Sequence, residues 1–159
     1  MKCKIIAVGK LKEAYLRAGI EEYTKRMKAF GGLQIIELSD ERIPESPSEK
    51  EILAIKAREG EKILAVIKPD EKVVALTLDG KALTSEELSA QMVDWTTYGT
   101  SIITFLIGGS LGLSTEVQAR ADLKLNFGQM TLPHQLMRLV LTEQIYRANM
   151  IDRGSTYHK

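Results

Sequence analysis

The chain has 159 residues, 44% hydrophobic and 27% charged, the make-up of one globular domain able to bury about two thirds of its unfolded surface. No apolar run reaches the roughly 18 residues of a membrane helix, the N-terminus is too soon charged for a secretory leader, and the single Cys3 allows neither an internal disulfide nor a cysteine-rich metal site, so the expected compartment is the reducing cytoplasm. The formal net charge of +1 does not mark a nucleic-acid binder, although residues 1–30 carry eight basic and three acidic groups while residues 37–61 carry four and eight. Such a two-sided molecule can grip phosphate, and solvated helix faces explain the asymmetry equally well.

Lys4 to Val8, closed by Gly9-Lys10, is predicted to be the first strand. Leu16, Ile20, Tyr23, Met27 and Phe30 then form one stripe of a helix that Gly31-Gly32 stops. Leu33 to Leu38 is the second strand, and the charged, proline-containing SDERIPESPS is a loop. Ser48 and Glu51 make a capping box for a second helix running to about Lys68, with Gly60 marking a bend or a close contact. Lys72 to Leu78 is the third strand, followed by turn chemistry at Asp79-Gly80. Thr84 and Glu87 cap a third helix whose stripe is Leu88, Met92 and Trp95.

Ile102 to Ile107 is the fourth strand and opens into Gly108-Gly109-Ser110-Leu111-Gly112. A short helix from Leu113 to Arg120 and a fifth strand, Leu123 to Phe127, follow. The last helix starts at Pro133, where no donor is lost, and runs to about Met150. Strands alternate with helices throughout. The pattern predicts a single α/β domain over residues 1–159, with a mostly parallel sheet covered by helices on both faces.

The glycine loop after the fourth strand is neither a dinucleotide fingerprint nor a P-loop. Beside it comes a second loop, Phe127-Gly128-Gln129-Met130-Thr131-Leu132, with apolar side chains, a glycine and many backbone amides. Two strand exits so close together predict one pocket at the carboxyl edge of the sheet. That pocket suits a flat aromatic ring such as adenine better than a bare phosphate. The last helix is apolar nearly all round from Leu136 to Leu141, and a helix–helix homodimer would cover its second apolar face. Glu143 and Arg147 read as a structural i,i+4 pair. His134 opens the helix and reads as a hydrogen-bonding element. The tail, Arg153 to Lys159, is either a frayed end or a phosphate- and base-contacting segment. Two histidines and one cysteine so far apart give no metal-ligand spacing.

AVGKLKEAY, ALTLDGK, FLIGGSLGL, MTLPHQLMRLVLTEQIYRA and the terminal RGSTYHK together resemble the SPOUT (α/β-knot) methyltransferases. Within them the chain resembles the small bacterial family that N3-methylates a pseudouridine in large-subunit ribosomal RNA. The resemblance spans the whole chain in the family's order. It implies a C-terminal trefoil knot and a bound S-adenosylmethionine touched by Leu76, Gly108 and the loop Phe127, Gly128, Gln129, Met130, Thr131 and Leu132. It also implies a homodimer in which one subunit's tail completes the other's site, and a large-subunit rRNA substrate, within the ribosome. The family carries a serine near Gly128 and often a lysine at Gln129, so this chain's contacts at both positions would be backbone ones. Under this reading His158 is the candidate base, Arg153 and Lys159 stabilise anionic charge, and Tyr157 stacks on or orients the target base. A non-catalytic ribosome-associated RNA-binding protein is the alternative.

Overall fold

Five apolar runs become five strands in the computed structural model, which describes residues 1–159. They are β1 (Cys3–Val8), β2 (Leu33–Leu38), β3 (Lys72–Ala82), β4 (Ile103–Ile107) and β5 (Leu123–Asn126). The sheet order is β2-β1-β4-β3-β5, and every pairing is parallel. Between the strands lie α1 (Ala14–Met27), α2 (Glu49–Leu64), α3 (Ser85–Thr97), α4 (Thr115–Arg120) and, after β5, α5 (His134–Asp152).

Both faces of the sheet are covered, which is why β1 and β4 read as continuous apolar runs and not as alternating ones. On one face Cys3, Ile5 and Ala7 pack with Met27 of α1, Leu88 and Met92 of α3, and Leu141 and Ile145 of α5. On the other, Ile6 and Val8 pack with Ile63 of α2 and Val117 of α4. Both predicted capping boxes form: Ser48 and Thr84 each accept from the backbone three residues on, and Glu51 and Glu87 reach back. No helix is long and apolar enough to cross a membrane.

Two expectations are corrected. The turn placed at Asp79-Gly80 is strand, because β3 continues to Ala82 and pairs with β5 across a register break between Leu76 and Lys81. A Cβ on Gly80 would lie 2.7 Å from the Leu125 backbone, so the glycine serves close strand approach. The second helix ends at Leu64 and not near Lys68: the chain unwinds through Val66 and Ile67 in i→i−3 bonds. Gly60 inside that helix marks a close contact, since a Cβ there would lie 2.5 Å from Ser114 Oγ.

Among the core side chains sits a charged group. Lys4 points from β1 into the sheet's second face, where its ammonium donates to Glu71 at 2.7 Å and to the Val66 carbonyl at 2.8 Å. Thr104 of β4 donates to the other Glu71 oxygen at 2.8 Å.

Cys3 is buried against the main core, and burial pushes its thiol up from 9.0 to about 12. Below pH 9 the thiol is neutral whether the chain is folded or not. Between 9 and about 12 only the unfolded chain ionises, so this residue's contribution to stability is lost as pH rises through that window. A thiol reagent at pH 8 is therefore expected to label Cys3 only as fast as the chain unfolds. Immediate labelling of the native protein would contradict its placement.

Candidate active site

At the carboxyl ends of β3, β4 and β5 a cavity of about 540 Å³ opens between the two loops singled out in the sequence. Gly108 to Leu113 form one wall and Phe127, Gly128, Met130, Thr131 and Leu132 another. Leu76, Thr77, Leu78 and Asp79 of β3 make the floor, which exists because β3 runs on past the end of β4. Of the residues assigned to cofactor contact in the sequence, Leu76, Gly108, Phe127, Gly128, Met130, Thr131 and Leu132 line this space. Gln129 sits in the same loop with its side chain exposed and outside the wall.

Backbone geometry makes the loop a set of donors. Gly128 takes a positive φ of 126° and its amide is tied back to Asn126 Oδ1 at 2.9 Å. The next four amides, Gln129 to Leu132, donate to no acceptor in the chain. At the glycine wall, a Cβ on Gly108 would lie 3.0 Å from both Gly112 C and Leu113 Cδ2. Gly109 leaves room for the buried Glu59 carboxylate, which accepts from the Glu41 amide at 3.0 Å. The floor holds Asp79, whose carboxyl lies below its usual range because of Thr77 first and Lys124 second. The Thr77 hydroxyl is near enough for that effect but completes no aligned hydrogen bond of its own.

Helix α5 is locked in place at its cavity end. Arg138, buried at 2% exposure, donates to Glu37 Oε2 and to the Gly9 carbonyl, and the same Glu37 oxygen accepts the Leu11 amide at 2.8 Å. This clamps the start of α5 to the ends of β1 and β2 and so fixes where the donor loop ends. Lys56, Ser110, Gln118, His134 and Met137 also line the cavity, and no signal in the sequence marked Lys56 or Gln118.

The tail lies elsewhere. Helix α5 has 19 residues, about 28 Å at 1.5 Å per residue, and its far end releases Arg153 away from the cavity. From there the chain folds back along the helix rather than fraying. Tyr157 donates to Glu143 Oε1 at 2.9 Å and sets its ring edge-on to Tyr146, 4.9 Å between centroids. Arg147 forms the expected i,i+4 pair with Glu143 at 2.6 Å, lies over the Tyr157 ring at 4.8 Å and meets His158 Nδ1 at 3.1 Å. His158 Nε2 meets Glu86 Oε1 of α3 at 2.7 Å. Arg153 lies over the Phe30 ring at 4.3 Å, and Lys159 is exposed. Arg153 thus stays at the far end of α5 while Tyr157 and His158 reach back to Glu143 and the first turn of α3, and none of Arg153, Tyr157, His158 and Lys159 lines the chain's own cavity.

The model of the family described as predicted SPOUT methyltransferases matches residues 1–158. The chain belongs to the SPOUT methyltransferase family. Its relatives include proteins named ribosomal RNA large subunit methyltransferase H: 60% identical in Latilactobacillus sakei, 58% in Lactococcus lactis subsp. cremoris and 57% in Bacillus pumilus, each over the full length of both chains. Among solved structures, a probable methylase family protein from Haemophilus influenzae superposes with a TM-score of 0.53 at 16% identity, covering 99% of this chain and 70% of that one. That likeness shows the fold. As a SPOUT methyltransferase the chain has its loop pair at the carboxyl edge of the sheet, where the sequence put the pocket.

Proposed function

We propose that the chain is a cytoplasmic S-adenosylmethionine-dependent methyltransferase that acts on N3 of a pseudouridine in large-subunit ribosomal RNA. The observation that carries the reading is full-length identity of 57 to 60% with proteins named as large-subunit rRNA methyltransferases. The cavity supports it. Its volume falls within the roughly 300–1,000 Å³ of small-molecule sites, and its parts fit the cofactor. Leu76 and Leu132 offer apolar surface to an adenine, the free amides of the loop offer its ring nitrogens donors, and ionised Asp79 offers a negative charge to a cationic ligand. When bound, the cofactor supplies a methyl group already activated on a sulfonium.

What remains for the protein is alignment, exclusion of water and removal of one proton. The imide N3–H of the target must lose its proton for the nitrogen to attack, and His158 is the base that takes it. Arg153 and Lys159 stabilise the charge left on the ring and grip phosphate. Burial, with help from Tyr23 and Glu143, pushes the Tyr157 hydroxyl up, so it stays a neutral donor at working pH. Its ring is fixed for orienting a base, and no proton step falls to it.

These tail groups serve a second copy of the chain. The tail returns along α5 only as far as Glu143 and reaches no part of its own cavity. Leu136, Met137, Leu139 and Val140 on α5 are only half buried, and Met130 beside the cavity is 88% exposed. A homodimer would cover that surface and bring a foreign tail to each cavity. The trefoil knot belongs to the same reading, with the C-terminal segment threaded past the glycine loop.

The direct test is mass mapping of large-subunit rRNA from cells with and without the gene, followed by transfer of labelled methyl to ribosomes from the deficient cells. An unmodified set of nucleotides identical in both cells would remove the reading. A binding protein without catalysis has no reason to take up the cofactor, so calorimetric titration with S-adenosylmethionine separates the alternative. Replacing Gly108 with valine, which forces Gly112 and Leu113 away, is expected to weaken that affinity at least about tenfold, or 1.4 kcal/mol. Unchanged affinity would place the cofactor elsewhere.

A further inference from the structure

The tail histidine sits between two opposite charges from two different helices. Glu86 faces it from the first turn of α3, and Arg147, itself held by Glu143, faces it from α5, with Tyr157 alongside. Arginine has no acceptor, so Arg147 Nη1 must donate to Nδ1. The proton of the neutral ring then lies on Nε2 and is donated to Glu86 Oε1, a distance of 2.7 Å.

We propose that Glu86 is a positioning residue for His158, fixing the Nε2–H tautomer so that Nδ1 carries the lone pair that accepts the substrate's proton. The assignment rests on the base role of His158 given above. Arg147 keeps the place that the substrate takes: the imide N3–H replaces its Nη1–H at Nδ1. The proton then passes from N3 to Nδ1, the N3 electron pair forms the bond to the methyl carbon, and the electrons of the broken carbon–sulfur bond stay on sulfur. The imidazolium formed faces the Glu86 carboxylate, and the displaced guanidinium is free for the anionic imide oxygen. Two features keep Glu86 ionised for this. It lies in the first turn behind the Thr84 cap, at the positive end of the helix dipole. Its hydrogen bond with His158 holds the carboxyl below the usual range.

The contact joins residues 72 positions apart, and nothing in the sequence pattern links them. A carboxylate behind a histidine base is a recurrent device, since the wrong tautomer presents a proton where a lone pair is needed.

The test uses full-length Glu86→Gln and Glu86→Ala proteins. The chain has only His134 and His158, so imidazole resonances are read directly and assigned with His158→Ala. In the wild type the neutral ring is expected to carry its proton on Nε2, and loss of the Glu86 acceptor should remove that preference. Methyl transfer should fall about ten- to a hundredfold in kcat, more for alanine than for glutamine. KM for S-adenosylmethionine should not change. Wild-type kcat and an unchanged Nε2–H tautomer of His158 in both variants would overturn the assignment. If transfer is lost with His158→Ala but untouched by Glu86→Ala, the Glu86 assignment fails alone. If it survives His158→Ala, the base role fails and takes this assignment with it.

Discussion

Replacing His158 with alanine is expected to leave S-adenosylmethionine affinity unchanged and to lower methyl transfer by about 10²–10⁴-fold, the range for loss of a positioned base. The two effects separate because the residue lies outside the cavity walls while its ring is held by Glu86 and Arg147. The fold should hardly notice: the imidazole is partly exposed and its partners sit at the surface. Mixed dimers sharpen the result. A His158→Ala subunit keeps a sound cavity, and a Gly108→Val subunit keeps a sound tail. At a cofactor concentration well below the weakened affinity of the Gly108→Val cavity each homodimer should be nearly inactive, whereas co-expressed heterodimers should regain one working site. Recovery shows that the tail acts across the dimer. Absence of recovery, with both proteins folded and dimeric, would confine the tail to its own subunit and overturn the shared site.

Periodicity and punctuation carried the architecture further than the site. The central strands β1 and β4 were visible as apolar runs because a parallel sheet with two covered faces needs no polar alternation, and both capping boxes marked helix starts within a residue. The reading slipped where a residue's local preference was overruled by a partner distant in sequence. Asp79-Gly80 has turn chemistry, but β5 lies so close that glycine is required in the strand itself. The donor loop was legible for a related reason: its glycine and the absence of regular pattern foretell free amides, which need no side-chain identity. The tail cluster was only half legible. Glu143 and Arg147 stand one helical turn apart and announce themselves, whereas Glu86 meets His158 only after α3 and α5 pack on the same face of the sheet. The buried charge on β1 was equally silent, since Lys4 looks like the polar edge of a strand until Glu71 and Thr104 are seen around it.

Removing that partner should have the largest effect on stability. In Glu71→Ala the Lys4 ammonium would keep only the Val66 carbonyl, and the Thr104 hydroxyl would lose its acceptor, all at sites with side-chain exposures of 7% and 1% for the pair. Breaking one side of such a pair costs about 3–5 kcal/mol, because the remaining charge is desolvated without compensation. For a chain of this size that corresponds to a fall in Tm of about 10 °C. Glu71→Gln keeps the shape and an acceptor for Thr104 but not the charge, and should fall between wild type and alanine. The double change Lys4→Met with Glu71→Leu removes both charges at similar volume and should recover most of the loss, since a well-packed apolar pair replaces an ion pair at little net cost. Thermal unfolding of the three variants reads the order directly. If Glu71→Ala costs less than about 1 kcal/mol, the range of an exposed pair, water reaches Lys4 and the second face of the sheet is not closed there. None of these residues lines the cavity, so below the unfolding transition the cofactor affinity of all three should match the wild type, which separates a scaffold effect from one on the site.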